Sequence, residues 1–308
     1  MAKNIKSYDG LQSQKKRDLV FFWAMGIVPI GLFVIRYICV NLNSILYAFQ
    51  SYDNAGRLYF SGFNNISQVL NDLTNEAWFK ETLFRSVKLY FFMLLFTTPI
   101  PTFAAFFLFK KFPMSGFFKT ILFLPTIISG LITAINFKFL LDRVIPYVAL
   151  NYFDIDLGIG LLSNPDTRFG ALLFQRLWFS IGSNLLVQIG AMNTTDKNTI
   201  DAGIIDGCSL IQEFWHIVLP ACYQTIALGF VFGVGLIFTD DFGLYAFYGE
   251  GAPSDVWTLG YIFTVRTSTT SKFEYPYYSA WGALESFLII PLTFILRFCV
   301  NRFGPSED

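Results

Sequence analysis

Apolar residues in this chain gather into long unbroken runs, with polar segments between them. Six runs, near 19–38, 86–109, 118–141, 170–191, 221–240 and 277–300, meet or approach the roughly 20 residues a helix needs to cross a bilayer core. In hydrocarbon each backbone must satisfy its own hydrogen bonds, so the runs predict helices, and the alternating pattern of a membrane barrel is missing from them. Pro29, Pro99, Pro101, Pro125 and Pro291 fall inside them, where a membrane helix tolerates a kink. The first run follows Lys15, Lys16 and Arg17, the arrangement of a secretory signal. No A-x-A-like cleavage site comes after it, and it exceeds a usual signal core, so it predicts a retained helix. The polar tail before it is expected to be mobile.

Composition agrees. Of 308 residues 54% are hydrophobic and only 14% charged, against roughly 25% in soluble domains, which excludes an ordinary soluble enzyme. The 37 phenylalanines mostly fill lipid-facing surface. With 22 basic and 22 acidic residues scattered along the chain, no footprint for nucleic acid is visible. The single histidine, His216, excludes multi-histidine zinc sites and is expected to meet a protein partner or a lipid headgroup. Cys39, Cys208, Cys222 and Cys299 are too widely spaced for a metal cluster or a disulfide framework.

Basic residues beside the span ends set the orientation. Lys3, Lys6, Lys15, Lys16 and Arg17 precede the first span, Lys110 and Lys111 follow the second, and Arg297 and Arg302 end the last. Both termini are therefore predicted in the cytoplasm. A tail of 1–18 precedes a six-helix domain over 19–308, and the segment 193–220 is a cytoplasmic loop.

That loop predicts two short helices. Ser209 with Gln212 three residues later has capping-box spacing, opening a helix through Leu210, Phe214 and Ile217. Gly207 stands where a tight turn favours positive φ, and Asp206 is placed to accept backbone N–H groups there. The product is an exposed knob bearing Phe214 and Trp215, shaped for a groove on a partner protein or, alternatively, an amphipathic connector on the membrane surface.

Asp201-Ala202-Gly203, then Gly207, nine residues, Ile217, one residue and Leu219-Pro220 resembles the coupling motif of binding-protein-dependent ABC transporter permeases. That motif reads Glu-Ala-Ala, three residues, Gly, nine residues, Ile, one residue, Leu-Pro. Phe63 to Ile66, Phe117 to Pro125, Trp178 and Tyr278-Ser279-Ala280 are similar to other family segments, so the resemblance covers nearly the whole chain. It is greatest to carbohydrate-uptake permeases of the maltose and glycerol-3-phosphate type, as the first of two paired subunits. The resemblance implies an all-α membrane protein with six transmembrane helices in the type I ABC importer permease (MetI-like) fold. It implies ATPase coupling through Asp201, Ala202, Gly203, Asp206, Gly207, Phe214, Ile217, Leu219 and Pro220. It further implies a second six-span permease, two cytosolic ATPase subunits and an extracellular binding protein, in the bacterial cytoplasmic membrane. No cofactor is expected on this chain, which lacks a G-x-x-x-x-G-K-[ST] phosphate loop, and ATP and Mg are expected on the ATPase. Asp201 and Gly203 depart from the motif, and the glycine should cost its helix roughly 0.5–1 kcal/mol.

Charges inside a bilayer cost about 2.5–3.5 kcal/mol and mark a pathway or a pair. Arg176, Ser180, Asn184 and Gln188 lie at four-residue steps, each drifting only about 40° around the fourth helix. Ser129, Thr133 and Asn136 share a face of the third, and Trp281 and Glu285 a face of the sixth. Such stripes suit a hydrated sugar path through Arg176, Asn184, Gln188, Trp281 and Glu285. The alternative is that Arg176 and Glu285 pair with each other as interhelical glue. Gly229, Gly233 and Gly235 predict a close-packing face and Asp240-Asp241 an acidic loop start, while the family resemblance implies that Gly249 to Pro253 is a glycine-rich turn facing the binding protein.

The chain reads as the permease subunit of an ATP-driven importer moving a sugar or oligosaccharide by alternating access, and not as an enzyme. The alternatives are a polyol or glycerol-phosphate-type cargo, or a polytopic enzyme acting on lipid-linked substrate through Asp240, Asp241 or Glu285. A purely structural adaptor leaves the three polar stripes unexplained.

Overall fold

The computed structural model describes residues 2–158 and 160–304, with side chains from residue 14 onward. The side chains of Lys3 and Lys6 therefore lie outside the described residues. Helix α1 (Ala2–Phe33) takes in the backbone of the polar tail and passes through a widened turn, Val34–Cys39, into α2 (Val40–Ala48). A hairpin of β1 (Gln50–Tyr52) and β2 (Leu58–Phe60) follows, then α3 (Asn64–Asn75), α4 (Ala77–Thr97) and α5 (Pro99–Phe109). Next come α6 (Ser115–Ile127), α7 (Gly130–Phe139), α8 (Ile145–Phe153) and the long α9 (Pro165–Met192). The chain ends with α10 (Lys197–Ile205), α11 (Leu210–Glu213), α12 (Leu219–Gly233), α13 (Leu236–Thr239), α14 (Leu244–Tyr248), α15 (Leu259–Thr269) and α16 (Tyr275–Phe303).

By length and composition, four described helices can cross a membrane: Gln14–Ala48, Ala77–Phe109, Leu210–Gly233 and Lys272–Phe303. A fifth crossing results if the pair Ser115–Ile127 and Gly130–Phe153, bent by 103°, counts as one. This differs from the six predicted spans at three places, the first being the predicted 221–240 span, whose helix runs Leu210–Gly233 and breaks before α13. The predicted 118–141 span breaks after Ile127, where Ile128 and Ser129 are extended, and Pro125 leaves its helix intact. Ser129 starts the next helix by accepting the Thr133 amide and hydroxyl, each at 3.0 Å. The predicted 170–191 span is present as α9, but Gln175, Arg176, Asn184 and Gln188 dilute its apolar run.

Two compact units divide the chain, residues 1–70 with 271–284 and residues 71–270 with 285–308. In the first, the hairpin pairs Gln50 with Phe60 in antiparallel register. Its turn is held by the Asp53 carboxylate, which accepts the amides of Ala55 (2.9 Å) and Arg57 (2.8 Å). Buried Asn65 donates to the carbonyls of Ala48 (3.1 Å) and Gln50 (2.6 Å), tying α2, β1 and α3 together.

In the second unit α9 is the central helix, packed by α5, α6 and α12. Ala105, Phe106, Leu185, Met192, Phe214, Val218 and Cys222 form a core cluster where these helices meet the loop 193–220. The predicted glycine face is only partly used. A Cβ on Gly229 would meet nothing within 4 Å, whereas on Gly182 of α9 it would meet Thr126 Cγ2 at 2.8 Å and the Leu122 carbonyl. Gly182, absent from the predicted set, is the glycine that lets α6 and α9 approach.

Candidate functional site

The loop 193–220 forms a helical knob. Asp196 caps α10 by accepting the Asn198 amide at 3.2 Å. After Ile205 the chain reverses through Gly207 at φ +80°, a left-handed conformation that glycine adopts without strain. The turn amides of Gly207 and Cys208 go to the carbonyls of Ile204 (3.1 Å) and Gly203 (2.9 Å). They do not use the Asp206 carboxylate, because a helix C-terminus offers its own unpaired carbonyls first. The predicted capping box is present: Gln212 Oε1 accepts the Ser209 amide at 2.9 Å, and Ser209 Oγ accepts the Gln212 amide at 3.4 Å.

Two expectations for the knob need correction. Its second helix is not a separate short element, since α11 runs through a widened stretch, Phe214–Val218, directly into α12. Pro220 explains the widening, because its missing N–H and its ring disrupt the bond to the preceding turn. Phe214 is not on the exposed tip. It is 2% exposed, with ring centroids 4.6 Å from Phe103 and 5.1 Å from Phe106 of α5. At 100° per residue, adjacent Phe214 and Trp215 face different ways, and Trp215 is exposed.

The apolar tip is instead Ile204, Ile205, Leu210, Ile211 and Trp215, with Ile205 85% exposed. Two isoleucines in succession before Asp206-Gly207, too near the turn to be buried, were the available sequence signal. Asp201, Ala202, Asp206 and Pro220 are exposed, and Leu219 is partly buried. Gly203 and Ile217 meet across the knob: a Cβ on Gly203 would come 2.6 Å from Ile217 Cδ1. An alanine at 203 would therefore require the end of the Ile217 side chain to turn aside. At the root, Lys110 Nζ donates to both Glu213 oxygens, at 2.9 and 2.8 Å. His216 sits exposed with Nδ1 3.0 Å from the Gln212 carbonyl.

The polar stripe of α9 is only partly free. Arg176 forms an ion pair with Asp240 and lies 6.0 Å from the Phe242 ring centroid. Asp240, expected to begin an acidic loop, is thus the partner that sequence reasoning sought in Glu285. It also accepts the Phe242 amide at 2.9 Å, and Asp241 accepts the Gly243 amide at 2.9 Å, so both carboxylates organise this turn. Asn184 donates to the Ser180 carbonyl on its own helix at 3.0 Å. Gln188 is buried with Oε1 unpartnered. Glu285 is buried in the same unit, while Trp281 belongs to the other, buried and stacked on Tyr278 at 6.4 Å.

At the other end of α9, buried Arg168 donates to both Asp255 oxygens (2.8 and 2.9 Å) and to the carbonyls of Leu162 and Ser163 (each 2.9 Å). Tyr248 donates its hydroxyl to the same Leu162 carbonyl at 2.8 Å. Burial pushes the Tyr248 phenol up to about 12, against a smaller downward pull from Arg168. Burial likewise raises the Tyr261 phenol, which donates to the Gly249 carbonyl at 3.0 Å and accepts the Ala252 amide at 2.9 Å. The glycine-rich turn is thereby stapled to α15.

No protein-family model matches the chain. Curated relatives include permease proteins of sugar transport systems. The multiple sugar-binding transport system permease protein MsmF of Streptococcus mutans is 23% identical over 283 residues, spanning 91% of this chain and 94% of its own length. Among solved structures, a bacterial ABC transporter involved in import of the acidic polysaccharide alginate matches with a TM-score of 0.76 at 19% identity, over 96% of this chain and 99% of that one. A bacterial alginate ABC transporter in complex with its pentasaccharide-bound periplasmic protein matches with a TM-score of 0.75 at 17% identity, over the same shares. The fold is that of an ABC importer permease, and the chain is a relative of sugar ABC transporter permeases, as the loop motif predicts.

Proposed function

We propose that this relative of sugar permeases is the membrane-spanning subunit of an ATP-driven importer that moves a sugar or oligosaccharide inward by alternating access. The knob 193–220 is the observation that most supports this reading. A capped, glycine-turned loop with an apolar tip and a buried root is a rigid lever, and the Ile204–Trp215 tip fits a groove on a cytosolic ATPase. ATP and Mg belong to that ATPase. A second permease completes the path, an extracellular binding protein delivers the cargo, and both termini lie in the cytoplasm.

The proposed path in the second unit includes Arg176, Asn184, Gln188 and Glu285. Gln188 is the strongest member, since a buried amide oxygen without a partner is costly and a sugar hydroxyl would satisfy it. Asp240 is committed to Arg176, which disfavours its use as an enzymatic acid.

Affinity purification from native membranes in mild detergent, followed by mass spectrometry, tests the assignment. Recovery of a second multi-span permease and an ATPase with nucleotide-binding motifs is expected. Recovery of the chain alone, even after cross-linking, would overturn it. Gly207→Arg should insert normally yet lose ATPase stimulation, because the side chain forces strain at φ +80° on the docking surface.

A further inference from the structure

We infer that Lys110, Glu213 and Phe214 lock the knob to the end of α5, so that loop and helix move as one body. This rests on the proposed function, because the motion concerned is the one ATP would drive. Lys110 terminates α5, its amide donating to the Phe106 carbonyl at 3.0 Å, and Glu213 is the last residue of α11. The two are 103 residues apart, yet Nζ reaches both carboxylate oxygens at 2.9 and 2.8 Å. Their side chains are 20% and 3% exposed, so water competes little for either.

The neighbouring Phe214 ring enters α5 one turn back, against Phe103 and Phe106. Beneath it, Ala105, Val218 and Cys222 complete the seal. The ionic contact fixes direction and the aromatic one fixes depth. A push on the tip at Ile205 or Trp215 therefore reaches α5 through a stiff joint as well as α12 through the covalent chain. Desolvation makes such a pair a poor way to gain stability alone, since apolar residues of similar volume often do as well or better. What the pair supplies is a tether: Nζ held by both oxygens of a buried carboxylate keeps the end of α5 beside Glu213, where apolar packing alone could slide by a rotamer. Lys110 and Glu213 are thus positioning residues that split the stroke between two membrane helices.

Hydrogen exchange with mass spectrometry on the assembled complex, with and without ATP, tests this without knowledge of the cargo. In the native complex, ATP should change protection in 193–220 and at the α5 end, 103–112, together. In Glu213→Gln and Lys110→Met the loop should still respond, while the response at 103–112 falls at least five-fold. The exchanged pair Lys110→Glu with Glu213→Lys should restore half or more of it. An unaltered response at 103–112 in the single variants would overturn the inference. So would a native complex in which the loop responds and α5 does not, or single variants that lose both responses without rescue by the exchange. If no ATPase assembles with the native chain, the proposed function fails first and this inference falls with it.

Discussion

Arg176, midway along α9, is ion-paired with Asp240, the residue just after α13. The pair links α9 to the end of α13, and 64 residues separate its members. Both are partly exposed, so the contact stabilises less than a dry one. Asp240→Asn should lower stability by about 1–2 kcal/mol, as expected for a hydrogen bond to a charged group in a partly wet site. Arg176→Gln with Asp240→Asn should lose less than the sum of the single changes. Melting of the purified chain in detergent measures both, and strict additivity would show that the pair is not coupled.

Gly203 and Ile217 define a second relationship, the clearance between the arms of the knob. Alanine at 203 gains roughly 0.5–1 kcal/mol of helix propensity, but its Cβ requires the Ile217 end to rotate away. Gly203→Ala alone should therefore be near neutral. Combined with Ile217→Val, which removes the opposing methyl, the propensity gain should appear. If the double variant is no more stable than the single, contact with Ile217 is not what offsets that gain.

A contrast between two glycines tests how the helices approach. Gly182→Ala drives a methyl into Thr126 and the Leu122 carbonyl, and backbone cannot yield cheaply. A loss of about 1–3 kcal/mol is expected, the usual cost of overpacking. Gly229→Ala meets open space and should be tolerated or gain stability. Equal effects at the two positions would contradict this account of the α6–α9 contact.

What was legible beforehand follows from the range of the forces involved. Apolar length is a property of a contiguous segment, so the runs near 19–38, 86–109 and 277–300 were readable directly. The capping box and the Gly207 turn were readable because they act over a few residues. Long-range pairing was not: Lys110–Glu213, Arg168–Asp255 and Arg176–Asp240 span 103, 87 and 64 residues. The burial of Phe214 beside an exposed Trp215 depends on which face of the helix meets α5, a long-range contact that local sequence does not carry. The β1–β2 hairpin was overlooked although Asp53 to Gly56 between short apolar runs is a turn signal.

The exposed tip leads to a prediction about assembly. Ile205 and Ile211 are 85% and 67% exposed, so replacing them disturbs no core. Ile205→Glu should leave melting within about 0.5 kcal/mol of native, as surface changes usually do. It should nevertheless reduce ATPase recovery in pull-downs several-fold, since a charge would enter an apolar groove. Recovery at native levels would move the docking surface elsewhere on the chain.

The half-buried phenol of Tyr248 gives a pH dependence whose sign is fixed by its environment. Desolvation is the main cause of its elevation from 10.0 to about 12, Arg168 opposes it, and Asp142 and Asp255 add to it. The folded state therefore favours the neutral phenol more than the unfolded state does. Its contribution is complete below pH 10 and is lost as pH rises through 12, because the unfolded tyrosine ionises first. Tyr248→Phe removes both the bond to Leu162 and this titration. Native protein should exceed the variant by about 1 kcal/mol near neutrality, the worth of one hydrogen bond. That advantage should shrink between pH 10 and 11, with other tyrosines cancelling in the comparison. An advantage that stays constant over this interval would mean the hydroxyl is not held against the Leu162 carbonyl.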